Sequence, residues 1–340
     1  MEYRSFNDVM RRRFGTKVYR LALQSGCTCP NRDGTIGTGG CTFCSEGGSG
    51  EFAASPAPVA DQIAAARRRV DPKIPASIPA EERRYIAYFQ SYTSTYGDPE
   101  ELRALYAETL VQPQIAALDL GTRPDCLPPE MIRMLTDLGQ TYDKPIWIEL
   151  GLQTIHEETA LRIHRGYRLP VFEDAYLRLK ETCRGYGREG REGSDGRDGS
   201  DERFGRYGRP GRLGEPGTGY TGLEVIVHVI LGLPGESRED MLETIRYLAG
   251  MDPALDGIKL QLLHILKGTQ MAEEYARDPF PLFTQEEYCD LVVDCLRLLP
   301  PETVVHRLTG DGPRRLLVAP LWSTDKKGVL NMLSRKIREA

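Results

Sequence analysis

Four of the chain's eight cysteines fall between positions 27 and 44, in the stretch CTCPNRDGTIGTGGCTFC. Cys41 and Cys44 form a CxxC pair, the spacing at which two thiolates grip one metal centre. Gly34, Gly37, Gly39 and Gly40 let the backbone turn tightly around a bulky inorganic body. Three chemistries compete for such a loop. A structural zinc takes four ligands, and Cys27, Cys29, Cys41 and Cys44 would supply them. One residue separates Cys27 from Cys29, however, so their side chains diverge if that segment is extended. A disulfide would need an oxidising compartment. An iron–sulfur cluster held by three thiolates would leave one iron open for a further ligand.

At 340 residues the chain is long enough for one large α/β domain with extensions, or for two smaller domains, and needs no covalent staples. The N-terminal MEYRSFNDVMRRRFGTKVYR lacks an apolar stretch fit for a signal peptide, and no run approaches the ~18 apolar residues of a membrane span. A cytoplasmic location is therefore expected, where thiols stay reduced and clustered cysteines bind metal or do chemistry. The net charge of −5 is uneven: residues 1–20 carry +4, residues 301–340 carry +4, and the middle holds −13. Either this is an ordinary solvated surface, or both ends meet on one face and attract a polyanion.

The elements that must position the cysteines read as alternating strands and helices. Apolar runs at 17–24, 84–90, 114–121, 145–151, 223–232 and 256–265 predict six strands. Between them lie segments with apolar residues at helical spacing, two of which open on the capping patterns DPEE and SRED. Strands joined by crossover helices make a parallel sheet. Six units predict an α/β fold, a partial (β/α)6 TIM-like barrel with its active site outside the carboxyl ends of the strands. Residues 1–16 read as a basic extension, 17–270 as the barrel, and 271–340 as a helical, basic extension closing it. Residues 184–222 break the pattern with thirteen glycines, eight arginines and seven acids. Too little apolar surface offsets the ordering entropy there, so a disordered insertion is expected, with an arginine–glycine RNA-binding role weakened by the alternating acids.

The cysteine loop resembles that of the YhcC/YtqA-type radical SAM proteins, relatives of the catalytic subunit of Elongator. YFQSYTSTY (88–96), GTRPDC (121–126), IELGLQT (148–154), HVILGLPGE (228–236), GIKLQLLHILKGT (257–269) and HRL…LLVAPLW (306–322) resemble the family's blocks in order. The resemblance spans the chain except for the glycine–arginine insertion. It implies a partial barrel of the radical SAM type and cluster ligation by Cys29, Cys41 and Cys44, with Cys27 outside the set. It also implies a [4Fe-4S] cluster and S-adenosyl-L-methionine as cofactors, with cleavage to a 5′-deoxyadenosyl radical. Gln90 and Ser91 end the second strand, where the cofactor's amino group is met. Glu149 and Gln153 end the fourth, within reach of its amino or ribose groups, and Gly232 and Gly235 would shape the adenine pocket.

Arg123 and Asp125, with Lys259, His264 and Lys267 on and after the sixth strand, are candidate substrate or cofactor contacts. His228, inside an apolar strand, reads as a core residue. Cys183, Cys289 and Cys295 read as core or surface thiols, and Cys126 stays open. The resemblance further implies tRNA as substrate, its wobble uridine side chain passing from carboxymethylaminomethyl to aminomethyl, with Arg314 and Arg315 among the groups that meet phosphate. A reductant such as flavodoxin or ferredoxin is implied as partner. Two alternatives stand beside it: a radical SAM enzyme acting on a small metabolite or protein, and a non-catalytic metal-cluster protein that binds RNA.

Overall fold

A computed structural model describes residues 1–189 and 219–340, with the backbone alone for 183–189. The elements run in the order α1 (Phe6–Phe14), β1 (Val18–Leu23), α2 (Val59–Val70), β2 (Arg84–Phe89), α3 (Pro99–Leu110), β3 (Ile115–Thr122), α4 (Pro129–Tyr142), β4 (Ile146–Gln153), α5 (Glu157–Arg162) and α6 (Leu169–Glu189). They continue as β5 (Leu223–Leu231), α7 (Arg238–Ala249), β6 (Gly257–Leu262), β7 (Ile265–Leu266), α8 (Gln270–Arg277), α9 (Gln285–Leu298), β8 (Val304–Arg307), β9 (Leu317–Ala319) and α10 (Lys326–Glu339). All six expected strands form. Most of the expected insertion at 184–222, and the Cys183 side chain, lie outside the described residues.

Seven strands make one parallel sheet in the order β1-β2-β3-β4-β5-β6-β8. Alternation along each strand sorts side chains to two faces. Tyr85, Ala87, Phe89, Ile146, Ile148, Leu150, Val225 and Val227 face the helices in the main core. Ile86, Ala117, Trp147 and Ile226 face the concave side. Curling brings the two edge strands together across that side, with Arg20 Nη2 of β1 lying 3.2 Å from His306 Nδ1 of β8.

The helix starts are those that the capping patterns predict. Asp98 accepts from the backbone N–H groups of Glu100 and Glu101 at the head of α3, and Ser237 and Asp240 form a capping box at the head of α7.

Both ends of the chain depart from expectation. Residues 1–16 are a plug for the barrel and not an appendage. Phe6 and Met10 of α1 bury themselves among Val18, Ile86, Ala117, Trp147 and Ile226, near the amino ends of the strands, because that end of the curled sheet would otherwise expose apolar surface. The C-terminal stretch supplies β8 to the sheet, so the barrel does not stop at 270. Four residues flanked by PPET and a glycine-rich loop are too short a run to show strand periodicity. The β7–β9 antiparallel pair then ties the segment after β6 to the segment after β8.

Candidate active site at the carboxyl ends of the strands

The loop after β1 crosses the open end of the barrel. It is held by its own backbone: the N–H groups of Arg32 and Asp33 donate to Cys29 O (2.8 and 3.1 Å), Gly40 N to Asn31 O (2.8 Å) and Cys44 N to Cys41 O (2.9 Å). Side chains pin it to later elements. Asn31 Nδ2 donates to His164 O (2.6 Å), and Arg32 Nη2 to Cys44 O (2.8 Å) and Ser45 O (2.6 Å). Gly40 adopts φ +81°, and a Cβ there would sit 2.7 Å from Arg32 Nε, so the position takes only glycine without displacing that clamp.

Cys29, Cys41 and Cys44 line one cavity of about 160 Å³, together with Gln90, Tyr92, Arg123, Gln153, Arg165 and Tyr167. Cys27 does not line it and packs against the main core. A four-thiolate zinc site thus lacks its fourth ligand. Among the described residues, the group whose ligand atoms all lie within 4.8 Å of one another is His156, before α5, with Asp240 and Glu243 of α7, and the cavity thiols form no such group. Three thiols lining one cavity offer the ligand set of a polynuclear cluster with one open corner. Burial raises the Cys41 thiol to about 12 and pushes Cys44 up as well, so in the metal-free chain both hold their protons until a cation displaces them.

Backbone strain concentrates at the same place. Ser49, Tyr92 and Gln153 adopt φ of 65°, 57° and 66°, and all three line the cavity. Left-handed non-glycine residues are costly and persist where surrounding contacts hold them. Tyr92 is held by its N–H to Gly48 O (2.8 Å) and its hydroxyl to Glu46 O (2.6 Å). Gln153 sits at an irregularity in the β4–β5 pairing.

Below the cavity lies a buried polar layer that the sequence shows only as charges inside apolar strands. Glu149 pairs with Lys259, accepts from Tyr88 Oη (2.6 Å), and lies 2.8 Å from His228 Nε2 and 3.9 Å from Arg20 Nη2. Arg20 Nε donates to Asp119 Oδ2 at 3.0 Å. Burial would raise the Glu149 carboxyl, but Lys259, His228 and Arg20 hold it well below the ordinary range. Burial lowers Lys259 to about 7 against the pull of Glu149, and burial beside Glu149 raises Asp119 to about 7. The family resemblance gives Glu149 a bound amino or ribose group as its partner. The carboxylate does line the cavity floor, yet its partners come from β1, β2, β5 and β6. His228, expected as a core residue, turns its ring to this carboxylate and lines the cavity.

The remaining expected residues divide. Arg123 and Gln90 reach the cavity, and Arg123 forms a fork with Asp125 (2.9 and 2.7 Å) while also donating to Arg165 O (2.8 Å). Gln90 donates to Ser49 O at 2.7 Å. Ser91, beside Gly50, is buried and is not among the lining residues. Nor are Gly232 and Gly235: Gly232 N–H points at Met241 Sδ (3.2 Å) and its α-carbon packs on Phe283. His264 is buried against Gly310 and Gly312 below the loop that follows β8, and burial lowers it to about 4. Lys267, Arg314 and Arg315 are exposed; Lys267 is tied by its backbone N–H to Leu316 O (2.7 Å), which puts all three on that same loop region, beyond the carboxyl ends of β6 and β8. Cys126 is buried beside Asp125, and Cys289 and Cys295 are buried in α9. The sequence reading missed Asn31, Arg32, Tyr88, Asp119, Arg165, Tyr167, Gln261 and Arg307. For Asp119, as for Arg20, a signal existed, a charge in a strand interior; for Tyr167 and Gln261 there was none.

Comparison with known proteins agrees with this geometry. The chain is 36% identical to YtqA of Bacillus subtilis over 98% of its length, covering 89% of that protein. It is 34% identical to YhcC of Escherichia coli K12, covering 98% of the chain and 92% of the relative. The chain belongs to the YhcC/YtqA family of radical SAM proteins. Within it, residues 255–339 match the Radical_SAM C-terminal domain, a unit that begins at β6 and so runs across position 270. The fold of this family member is similar to that of the archaeal Elp3 of Methanocaldococcus infernus, with a TM-score of 0.59 and 16% identity over 94% of this chain and 63% of that one.

Proposed function

We propose that this chain uses a [4Fe-4S] cluster on Cys29, Cys41 and Cys44 to cleave S-adenosyl-L-methionine, and modifies the wobble uridine side chain of tRNA. The observation that carries the radical chemistry is the arrival of those three thiols, without Cys27, on one cavity at the carboxyl ends of a parallel half-barrel. The chemistry such a group supplies when bound is one-electron reductive cleavage of the sulfonium, which yields a hydrogen-abstracting 5′-deoxyadenosyl radical. The chain's residues do the rest. Arg32 and Asn31 fix the loop that presents the thiols, and the Arg123–Asp125 fork and Tyr167 wall the cavity on the β3–β4 side. Gln90 and Gln153 offer amide and backbone groups to the cofactor at strand ends. A radical of this reactivity requires exclusion of bulk water, which the loops over the carboxyl ends of the strands would supply.

The substrate reading rests on the family resemblance and takes the exposed Lys267, Arg314 and Arg315 as the groups that meet phosphates. An unpaired anticodon base enters a pocket without opening a duplex. The reading takes a flavodoxin or ferredoxin as electron donor. Its test has two parts. Anaerobic reconstitution with dithionite and S-adenosyl-L-methionine should release 5′-deoxyadenosine, and tRNA from a deletion strain should accumulate the carboxymethylaminomethyl nucleoside by mass spectrometry. Cleavage without a change in tRNA nucleosides would leave the radical chemistry standing and move the substrate to a small metabolite or a protein.

A further inference from the structure

Arg307, on the last strand of the sheet, lines the cavity opposite in strand order to the β1 loop that carries the cysteines. Its Nη1 donates to Gln261 Oε1 (3.0 Å), and among the described residues no carboxylate pairs with it. The other guanidinium groups on this cavity are tied elsewhere, Arg165 Nη2 by a 3.6 Å ion pair with Glu157 alone. Arg123 holds Asp125, Arg165 holds the carbonyls of Leu152 and Thr154, and Arg32 holds those of Cys44 and Ser45.

The charges beneath it pair among themselves and leave none for Arg307. Arg20 and Lys259 already match Asp119 and Glu149 one for one, so half-buried Arg307 is the cation of this layer left without a carboxylate. The field of Arg307 reaches its neighbours: it works to lower Lys259 and His228 alike. A half-buried guanidinium without a carboxylate partner favours the arrival of a counter-charge.

We infer that Arg307 and Gln261 form a clasp for a carboxylate of the substrate. The guanidinium offers its remaining N–H donors in a plane, and with Gln261 Oε1 already accepting, the amide N–H groups add to the same donor set. A carboxylate matches the planar fork of the guanidinium and supplies the single counter-charge that Arg307 lacks. The inference deepens the function proposed above, on which it rests for this cavity being the reaction site, and it makes the carboxylate end of the side chain the feature that is read. The clasp thereby selects for the carboxylate-bearing substrate and releases a product that lacks it.

The test is chemical labelling of the full-length, anaerobically reconstituted protein. Butanedione should modify Arg307, mapped by mass spectrometry, and excess N-methylglycine should slow that modification at least fivefold. N-Methylglycinamide, its uncharged counterpart, should not. Gln261→Glu places a carboxylate against the guanidinium and should slow labelling to the protected rate without any probe, in a variant whose fold it does not threaten. Protection by inorganic phosphate equal to or better than that by N-methylglycine overturns the carboxylate assignment. Protection by S-adenosyl-L-methionine alone overturns it too, since the clasp would then belong to the cofactor. An Arg307 that butanedione fails to reach also overturns it, because a site open to a carboxymethyl group admits a dione of similar size. Release of 5′-deoxyadenosine from the same preparation reports on the radical chemistry separately, so failure of that reading and failure of the clasp are told apart.

Discussion

At the scale of single residues, the cavity separates cysteines that look equivalent in the sequence. Cys29, Cys41 and Cys44 face it and Cys27 does not. Alanine at any of the three should abolish the brown colour of reconstituted protein or leave a cluster without cleavage activity, whereas Cys27→Ala should keep both; iron content and 5′-deoxyadenosine release measure this. The opposite pattern, with Cys27 essential and Cys29 dispensable, would shift the ligand set by two residues. Lys259 makes a different prediction. Its folded-state value, about 7, lies below that of the unfolded chain, so between pH 7 and about 10 the unfolded state holds more protons. Stability contributed by this group therefore rises with pH across that window. Lys259→Met should flatten the rise and cost about 3–5 kcal/mol at neutral pH, because it leaves Glu149 buried without its closest cation. Urea denaturation at several pH values checks both. The cysteines were legible because their type and spacing are rare. The Glu149 network was half legible, since a charge inside an apolar strand shows that a partner exists but not that four strands supply it.

At the scale of elements, period and capping chemistry carried the reading, and they failed where an element was short. All six long strands follow from apolar runs, and Asp98 and Ser237 start helices as their side chains dictate. The four-residue β8 and the β7–β9 pair give no such signal, being fixed by partners distant in sequence. The cysteine loop lies between these cases: its glycines mark a tight path, but the clamp through Arg32 is visible only in three dimensions. Two substitutions separate backbone strain from that clamp. Gly26 and Gly40 share φ +81°, but a Cβ at Gly26 meets nothing within 4 Å while one at Gly40 meets Arg32. Each alanine should cost about 1–2 kcal/mol from the left-handed backbone. Gly40→Ala alone should also lower iron incorporation, as read by iron per chain after reconstitution.

At the scale of the whole molecule, the two basic ends do meet, but not where a substrate would enter. The Met1 amino group donates to Ile337 O (3.0 Å), Arg4 to Glu302 O (3.0 Å), and Ser5 bridges Val305. Because α1 plugs the amino ends of the strands, Arg11 and Arg12 lie at the far end from the cavity, while Arg314 and Arg315 follow β8 at its carboxyl end. Composition gives the sum of charge and not its address. Arg314→Glu with Arg315→Glu should therefore weaken tRNA binding and lower the log–log salt slope by about 0.7 for each phosphate no longer neutralised, whereas Arg11→Glu with Arg12→Glu should leave the slope unchanged. Equal effects from the two pairs would place the RNA along the bottom of the barrel instead. The seat of Met1 on α10 has a further consequence, in the polymer physics of the unfolded chain. Its amine rests on a carbonyl three residues before Ala340, so a linker of a few residues would join the two into a ring without bending the native structure. Such a ring removes conformations only from the unfolded ensemble, by about 6 kcal/mol for a loop of this size under a chain-entropy estimate. A head-to-tail cyclised form should melt several degrees above the linear one, and the gain should vanish when the linker alone is cut.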